Sequence, residues 1–206
     1  TTGTVVNLSP EDHRKALDGR PELLRSCGRP SIGGAAKVVD SNGNEQPPGE
    51  VGEIWLKSET NMLGYYNLPE STTANLTDGW VQTGDAGYMD QEGYLYLKDR
   101  IKDMVVSGGL NVYPKEIELL IDELSGVKES AVIGLPDTDF GEVVVAVVVL
   151  VNDAILSGEQ VRGALKARVA NFKVPKRVFF VDELPRNAMG KVQKETMRKE
   201  YGSKAT

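Results

Sequence analysis

The run Val143 to Val151 limits the fold of this chain more than any other feature: nine consecutive apolar residues, mostly β-branched, held between Glu142 and Asn152. It is half the length of a membrane-spanning helix, which needs about 18 apolar residues, and β-branched side chains favour extended backbone. The run therefore reads as a buried strand. Around it, 206 residues with 40% hydrophobic content are enough for one large domain or two small ones with ordinary cores.

On either side of residue 100 the chain changes texture. Before it, turn-forming clusters (SNGNEQPPGEVG, NLPES, TDGW, DQEGY) separate short segments such as AAKVVD, GEIWLK and YLYLKD, so this half reads as mainly β. Asp90 to Gly93 is a hairpin candidate, with Gly93 free to take positive φ. After residue 103, strand-like and helix-like segments alternate. Pro114 suits a helix first turn, followed by an apolar stripe of Ile117, Leu120, Ile121 and Leu124. A second helix is expected over Val161, Leu165, Arg168 and Val169, capped by Ser157 with Glu159 and Gln160 in its first turn. The expected fold class is α+β: a β-rich, barrel-like region over 1–101 and a small α+β domain over 102–206. The connector KDRIKD at 98–103 is a hinge candidate, although such hexapeptides are more often plain surface loops.

Net charge is −6, all of it from residues 1 to 100, which carry 9 basic and 15 acidic groups against 15 and 15 in the remainder. From Lys173 onward 9 basic groups face 4 acidic ones, which suits either a phosphate-facing surface or a solvated lysine-rich terminal helix. The lone Cys27 excludes an intrachain disulfide and fits a reducing compartment. The first residues, TTGTVVNLSPEDHRK, have neither the basic start nor the apolar centre of a signal peptide, so a cytoplasmic protein without a membrane span is expected. His13 stands alone in a polar stretch, which rules out histidine triads and multi-histidine metal sites within these residues.

Three motifs could carry chemistry. In WVQTGDAGY at 80–88, Asp85 at a strand end could accept ribose hydroxyls, although Thr83-Gly84-Asp85 taken alone reads more readily as a turn. In DRIKDMVVSGGLNVYPKEIE at 99–118, Arg100 offers a planar fork of donors to the same ribose or to a phosphate. Gly108 and Gly109 there either admit a thin ligand close to backbone or simply form a tight hairpin. In LPRNAMGKVQK at 184–194, Lys191 follows Gly190 on a short loop with strand-like residues after it, and could be delivered as a point charge to phosphate oxygens. A solvent-exposed lysine accounts for it as well.

Taken together, in this order and spacing, GEIWLKSETNMLGYY, DGWVQTGDAGY, YLYLKDRIKDMVVSGGLNVYPKEIE and LPRNAMGKVQK resemble the adenylate-forming enzymes: acyl-CoA synthetases, aryl-CoA ligases, luciferases and peptide-synthetase adenylation domains. The resemblance covers most of the chain. It implies the β-rich end of a large N-terminal domain followed by a small mobile C-terminal lid, with the phosphate-binding loop and the magnesium ligand lying in an N-terminal part outside these residues. It further implies that Asp85 and Arg100 hold the ATP or AMP ribose, Lys102 is the hinge, Lys191 is the adenylation lysine, and Ser107, Gly108 and Gly109 line the pantetheine channel for CoA. ATP, Mg2+ and CoA are the implied cofactors, and no metal ligand is expected in the residues present.

The implied parent activity is ATP-dependent ligation of a carboxylic acid to CoA, with the separate fragment inactive. The small, β-branched GTVV near the start hints at an apolar, fatty acyl group. Malonyl- or aryl-CoA ligation and loading of a carrier protein are alternatives within the same fold. A basic-tailed binding module is the alternative outside it; the acidic pI of about 5.0 and the lack of interleaved aromatics after Phe180 argue against nucleic acid as a partner.

Overall fold

A computed structural model describes residues 2–152 and 154–202. The chain divides into two compact units, Thr1–Ile101 and Lys102–Thr206.

In the first unit, a two-residue pair joins β1 (Val6–Asn7) to β2 (Arg29–Pro30), and between them lies helix α1 (Pro10–Leu17). Ser9 caps α1: its hydroxyl accepts from the Asp12 amide at 3.1 Å while the Asp12 carboxylate accepts from the Ser9 amide at 3.0 Å, a reciprocal cap with Pro10 in the first turn. The main sheet is antiparallel. It runs β3 (Gly34–Val39), β4 (Gly52–Ser58), then β6 (Trp80–Met89), whose far side pairs with β5 (Leu76–Thr77) at one end and β7 (Leu95–Arg100) at the other. Val38, Ile54 and Leu95 form its core.

The sheet does not close on itself, so the barrel-like region is an open sheet among the described residues. Nor is this half mainly β throughout. Besides α1, a short helix α2 (Pro69–Asn75) precedes β5 with no buried residue, which is why no apolar periodicity announced it. The expected hairpin at Asp90 forms: Gly93 has φ +81°, and the Asp90 carboxylate accepts from the Glu92 and Tyr94 amides, each at 2.9 Å.

In the second unit, a five-stranded sheet runs β10 (Val127–Asp137), β11 (Gly141–Leu150), β8 (Val105–Ser107) and β9 (Leu110–Val112), with β12 (Arg177–Val181) parallel to β11. The valine run is β11, and both of its faces are covered. Val144, Ala146 and Val148 pack against α3 (Pro114–Asp122) and α4 (Gly158–Lys166) through Ile117, Ile121, Val161 and Leu165. Val143, Val145, Val147 and Val149 face α5 (Lys194–Gly202) through Met197 and Tyr201. A strand sandwiched between helix layers has no solvent face, hence its unbroken apolar sequence.

The cap of α4 forms as expected, Ser157 and Gln160 bonding reciprocally at 3.2 and 2.8 Å. The residues after Lys191 are not a strand: Val192 makes a single bridge to Arg186, and α5 begins at Lys194.

Candidate functional site

Thr83, Gly84 and Asp85 lie inside β6, not at the strand end that the sequence suggests. Gln82 pairs with Trp55 and Ala86 with Glu53, so three residues of β6 oppose one of β4, and the strand bulges outward. Gly84 takes φ +69° to allow it. The Thr83 hydroxyl donates to the Ile54 carbonyl at 2.7 Å and accepts from the Asp85 amide at 3.1 Å, and the Gly84 amide donates to Glu53 at 3.1 Å, so the bulge is internally fixed. It delivers Asp85 to Arg100 of β7, whose Nε lies 2.8 Å from Asp85 Oδ1. Arg100 also reaches the Thr83 carbonyl at 3.4 Å. Asp85 retains 28% side-chain exposure, and its second oxygen has no hydrogen bond from Arg100. Burial pushes its carboxyl above the ordinary aspartate range, with the Arg100 charge opposing the shift. The result is a carboxylate oriented on one oxygen, able to accept a pair of hydroxyls on the other.

In the second unit, Ser107, Gly108 and Gly109 form the β8–β9 hairpin. Gly108 and Gly109 have φ +58° and +78°, the left-handed pair a two-residue hairpin turn requires, so the turn alone accounts for both glycines. The Gly108 amide donates to the Phe140 carbonyl at 2.8 Å, and Lys176 Nζ sits 4.9 Å over the Phe140 ring. Ser107 is buried; Gly108 and Gly109 are exposed.

Lys191 sits on a loop shaped by Asn187. The Asn187 side-chain oxygen accepts from the amides of Met189 at 3.0 Å and Lys191 at 2.9 Å, and its own amide donates to the Lys191 carbonyl at 2.9 Å. Gly190 turns the chain at φ +78°. Arg186 donates to the Gly190 carbonyl at 2.7 Å and pairs with Glu129 of β10. The exposed Lys191 ammonium makes no hydrogen bond or ion pair among the described residues. Lys102, in a single 3-10 turn (Ile101–Asp103), is exposed as well. Asp103 is held by Arg198 of α5 at 2.9 Å, and the same guanidinium approaches the Lys102 carbonyl at 3.5 Å. Lys102, Asn187, Lys191, Arg198 and Lys199 line one concavity of about 590 Å3, which thus brings together Lys102 and Lys191 but not the glycine hairpin.

The cationic tail is largely neutralised internally. Lys173 pairs with Glu116 at 2.8 Å, Lys194 with Glu118 at 2.6 Å, Arg198 with Asp103 and Lys199 with Glu195 at 2.8 Å. Two residues to which the motif reading gave no role therefore matter. Asn187 was readable as a turn former two residues before Met189. Glu118, beside the apolar stripe of α3, had no local signal pointing to Lys194. Among the described residues no group of three or more His, Cys, Asp or Glu side chains could hold a metal, and no helix is long and apolar enough to cross a membrane.

Residues 1–66 match the family model of the AMP-binding enzymes, and residues 116–191 match that of the AMP-binding enzyme C-terminal domain. Similar proteins include the fatty acid–[acyl-carrier-protein] ligase ScoC of Streptomyces coeruleorubidus, 41% identical over 98% of this chain, and the long-chain-fatty-acid–CoA ligase FadD13 of Mycobacterium tuberculosis, 43% identical over 98%. Each is covered over 38% of its own length, so the chain spans well under half of these relatives. Among solved structures, o-succinylbenzoate CoA synthetase of Bacillus subtilis, in complex with its acyl-adenylate intermediate, superposes with a TM-score of 0.85 at 35% identity, over 94% of this chain and 38% of that one. The chain belongs to the AMP-binding, adenylate-forming enzymes and corresponds to their C-terminal part.

Proposed function

We propose that the polypeptide carrying these residues activates a carboxylic acid, in first place a fatty acid, as an acyl-adenylate and transfers the acyl group to CoA. The observation that carries this reading is Lys191: an ammonium without a partner among the described residues, on a loop whose backbone is fixed by Asn187 and Gly190. A charge without a partner on a fixed mount serves an incoming anion better than it serves the fold.

In the first half-reaction, a carboxylate oxygen attacks the α-phosphorus of ATP, the bond to the β-phosphate bridging oxygen breaks, and pyrophosphate leaves. Lys191 holds the carboxylate and phosphate oxygens together against their repulsion. Asp85 accepts the ribose hydroxyls and Arg100 orients that carboxylate, as their 2.8 Å pair allows. Magnesium, if bound, would be held by residues outside those present here and would supply charge neutralisation for the leaving pyrophosphate. In the second, the CoA sulfur attacks the acyl carbonyl carbon, AMP leaves, and the thiol proton passes to solvent. The region 102–206 acts as a lid turning at Lys102, withdrawing Lys191 and bringing the Ser107-Gly108-Gly109 hairpin to the pantetheine channel. The compartment is the cytoplasm.

A carrier-protein thiol is the second reading of the acceptor, favoured by the likeness to the carrier-protein ligase. Nucleic acid is disfavoured because most basic side chains after residue 172 are already engaged by carboxylates.

Pyrophosphate release by the full-length polypeptide, with ATP, magnesium and a panel of carboxylic acids, tests the activity and names the acid. Turnover that needs one class of acid, with AMP formed on adding CoA, is expected. No release with any acid would overturn the reading, and acyl transfer only to a phosphopantetheinyl protein would replace CoA by the carrier.

A further inference from the structure

The loop that presents Lys191 is tied at both ends to the edge strand β10, directly at one end and through α3 at the other. At its start, Arg186 pairs with Glu129 on β10. At its end, Lys194, the first residue of α5, reaches Glu118 of α3 at 2.6 Å. The Glu118 carboxylate also accepts from the Val132 amide of β10 at 2.9 Å and lies 3.7 Å from Lys115. One carboxylate therefore joins α3, β10 and α5, and it does so away from water: the Glu118 and Lys194 side chains are 7% and 14% exposed. The other acidic partners of α5 and of the tail are more exposed, up to 78% for Glu195.

A lysine buried this far, three residues after the loop lysine, is an expensive way to attach a helix that Met197 and Tyr201 already seat on the core. What the pair adds is register. Burial with a single short partner fixes where α5 begins, and the backbone from Gly190 to Lys194 leaves little slack between that fixed point and Lys191.

We propose that Glu118 is a positioning residue for the first half-reaction: through its buried pair with Lys194 it sets the height and direction at which Lys191 is offered to the carboxylate and the α-phosphate. This rests on the reading of Lys191 as the adenylation lysine. Glu118 touches no reacting atom, and its loss changes the approach of Lys191 rather than its chemistry. It also follows that acyl transfer from a preformed adenylate, which does not use the lysine loop, is indifferent to Glu118.

The test is made in the full-length polypeptide with the two half-reactions measured apart: carboxylate-dependent ATP–pyrophosphate exchange, and thioester formation from supplied acyl-adenylate and CoA. Glu118→Gln keeps the acceptor for the Val132 amide and removes the charge. It is expected to slow exchange about 10- to 100-fold in kcat, with the KM for ATP and thioester formation each within about threefold of the parent. Lys194→Met is expected to do the same, the double variant to be no slower than the slower single, and Lys194→Arg to restore exchange. Equal slowing of both half-reactions with a lowered melting temperature would make the pair a fold element only and overturn the proposal. So would multiplicative losses in the double variant, or parent exchange in Glu118→Gln. Lys191→Ala run beside them separates the two ideas: if it exchanges at the parent rate, the adenylation reading of the loop falls and the positioning role with it; if it is silent while Glu118→Gln is normal, only the positioning role falls.

Discussion

Asp85 in the first unit and Lys191 in the second, the two charges proposed to meet the nucleotide, both sit on a shaped backbone, yet they are held in opposite ways. Asp85 is half-buried in a bulged strand, one oxygen gripped by Arg100, its carboxyl pushed upward by loss of water. Lys191 is exposed, its ammonium without a partner among the described residues, while the backbone beneath it is held by the Asn187 hydrogen bonds. The difference suits what each is proposed to meet. A ribose hydroxyl is neutral and needs an oriented acceptor, so a preset side chain is best. A pair of anionic groups approaching one another needs a cation free to be placed between them, so the mount is fixed and the tip is not.

The buried carboxylates follow the same division. Asp12 accepts from the Ser9 hydroxyl at 2.6 Å and the Tyr94 hydroxyl at 2.6 Å and pairs with Arg29 at 3.3 Å, all within the scaffold of the first unit. Glu118 ends instead on the helix that follows the lysine loop.

The largest expected effect belongs to the unpaired charge. Lys191→Ala should lower ATP–pyrophosphate exchange by about 10²- to 10³-fold, the cost of losing one electrostatic stabiliser of a transition state. Thioester formation from supplied acyl-adenylate should be nearly unchanged. Equal loss in both half-reactions would erase the contrast, making Lys191 part of the frame.

Next comes the frame of the first unit. Asp12→Ala leaves the buried Tyr94 hydroxyl without its acceptor and removes the pair with the solvent-exposed Arg29, and should cost about 3 kcal/mol in a urea titration. Its hydrogen bonds from Ser9 and Tyr94 hold the Asp12 carboxyl well below the usual carboxylate range. A folded-state pKa below the unfolded one means stability that is present above about pH 4 and lost as pH falls below it. The parent should therefore lose stability on acidification through that window, and the Asp12→Ala variant should lose less. An acid limb identical in both would remove Asp12 from the account.

A smaller effect is expected at Asn187. Asn187→Ala removes the acceptor for the Met189 and Lys191 amides, loosening the mount while leaving the ammonium. Exchange should slow about tenfold with thioester formation intact. No change would mean that Gly190 and the anchors at Arg186 and Lys194 suffice.

Much of this was legible in the chain. The valine run announced a buried strand, and its two covered faces explain why it shows no alternation. Ser157 and Gln160 announced the start of α4, and Pro114 that of α3. The helix α1 carried an equally clear signal, Ser9 three residues before Asp12, but its face is charged and only Asp12 and Ala16 are buried, so periodicity passed over it. At the site, motif order singled out Asp85, Arg100, Lys102 and Lys191. It could not supply Glu118–Lys194 or Arg186–Glu129, because such pairs join segments far apart in sequence and depend on how α3, β10 and α5 pack.

The finest test concerns Gly84. A Cβ added there would meet nothing nearer than the Arg100 guanidinium at 4.0 Å, so space does not exclude alanine; the φ of +69° does. Gly84→Ala should cost about 1 kcal/mol of stability through backbone strain alone. If the bulge exists to aim Asp85, relief of that strain flattens β6 and turns the carboxylate away from Arg100, so the KM for ATP should rise while transfer from preformed adenylate to CoA keeps its rate. A stability loss with an unchanged KM would mean that the bulge only bends the strand. The position of Asp85 would then be set by Arg100, and the first unit, unlike the second, would rely on a charged partner rather than on backbone shape.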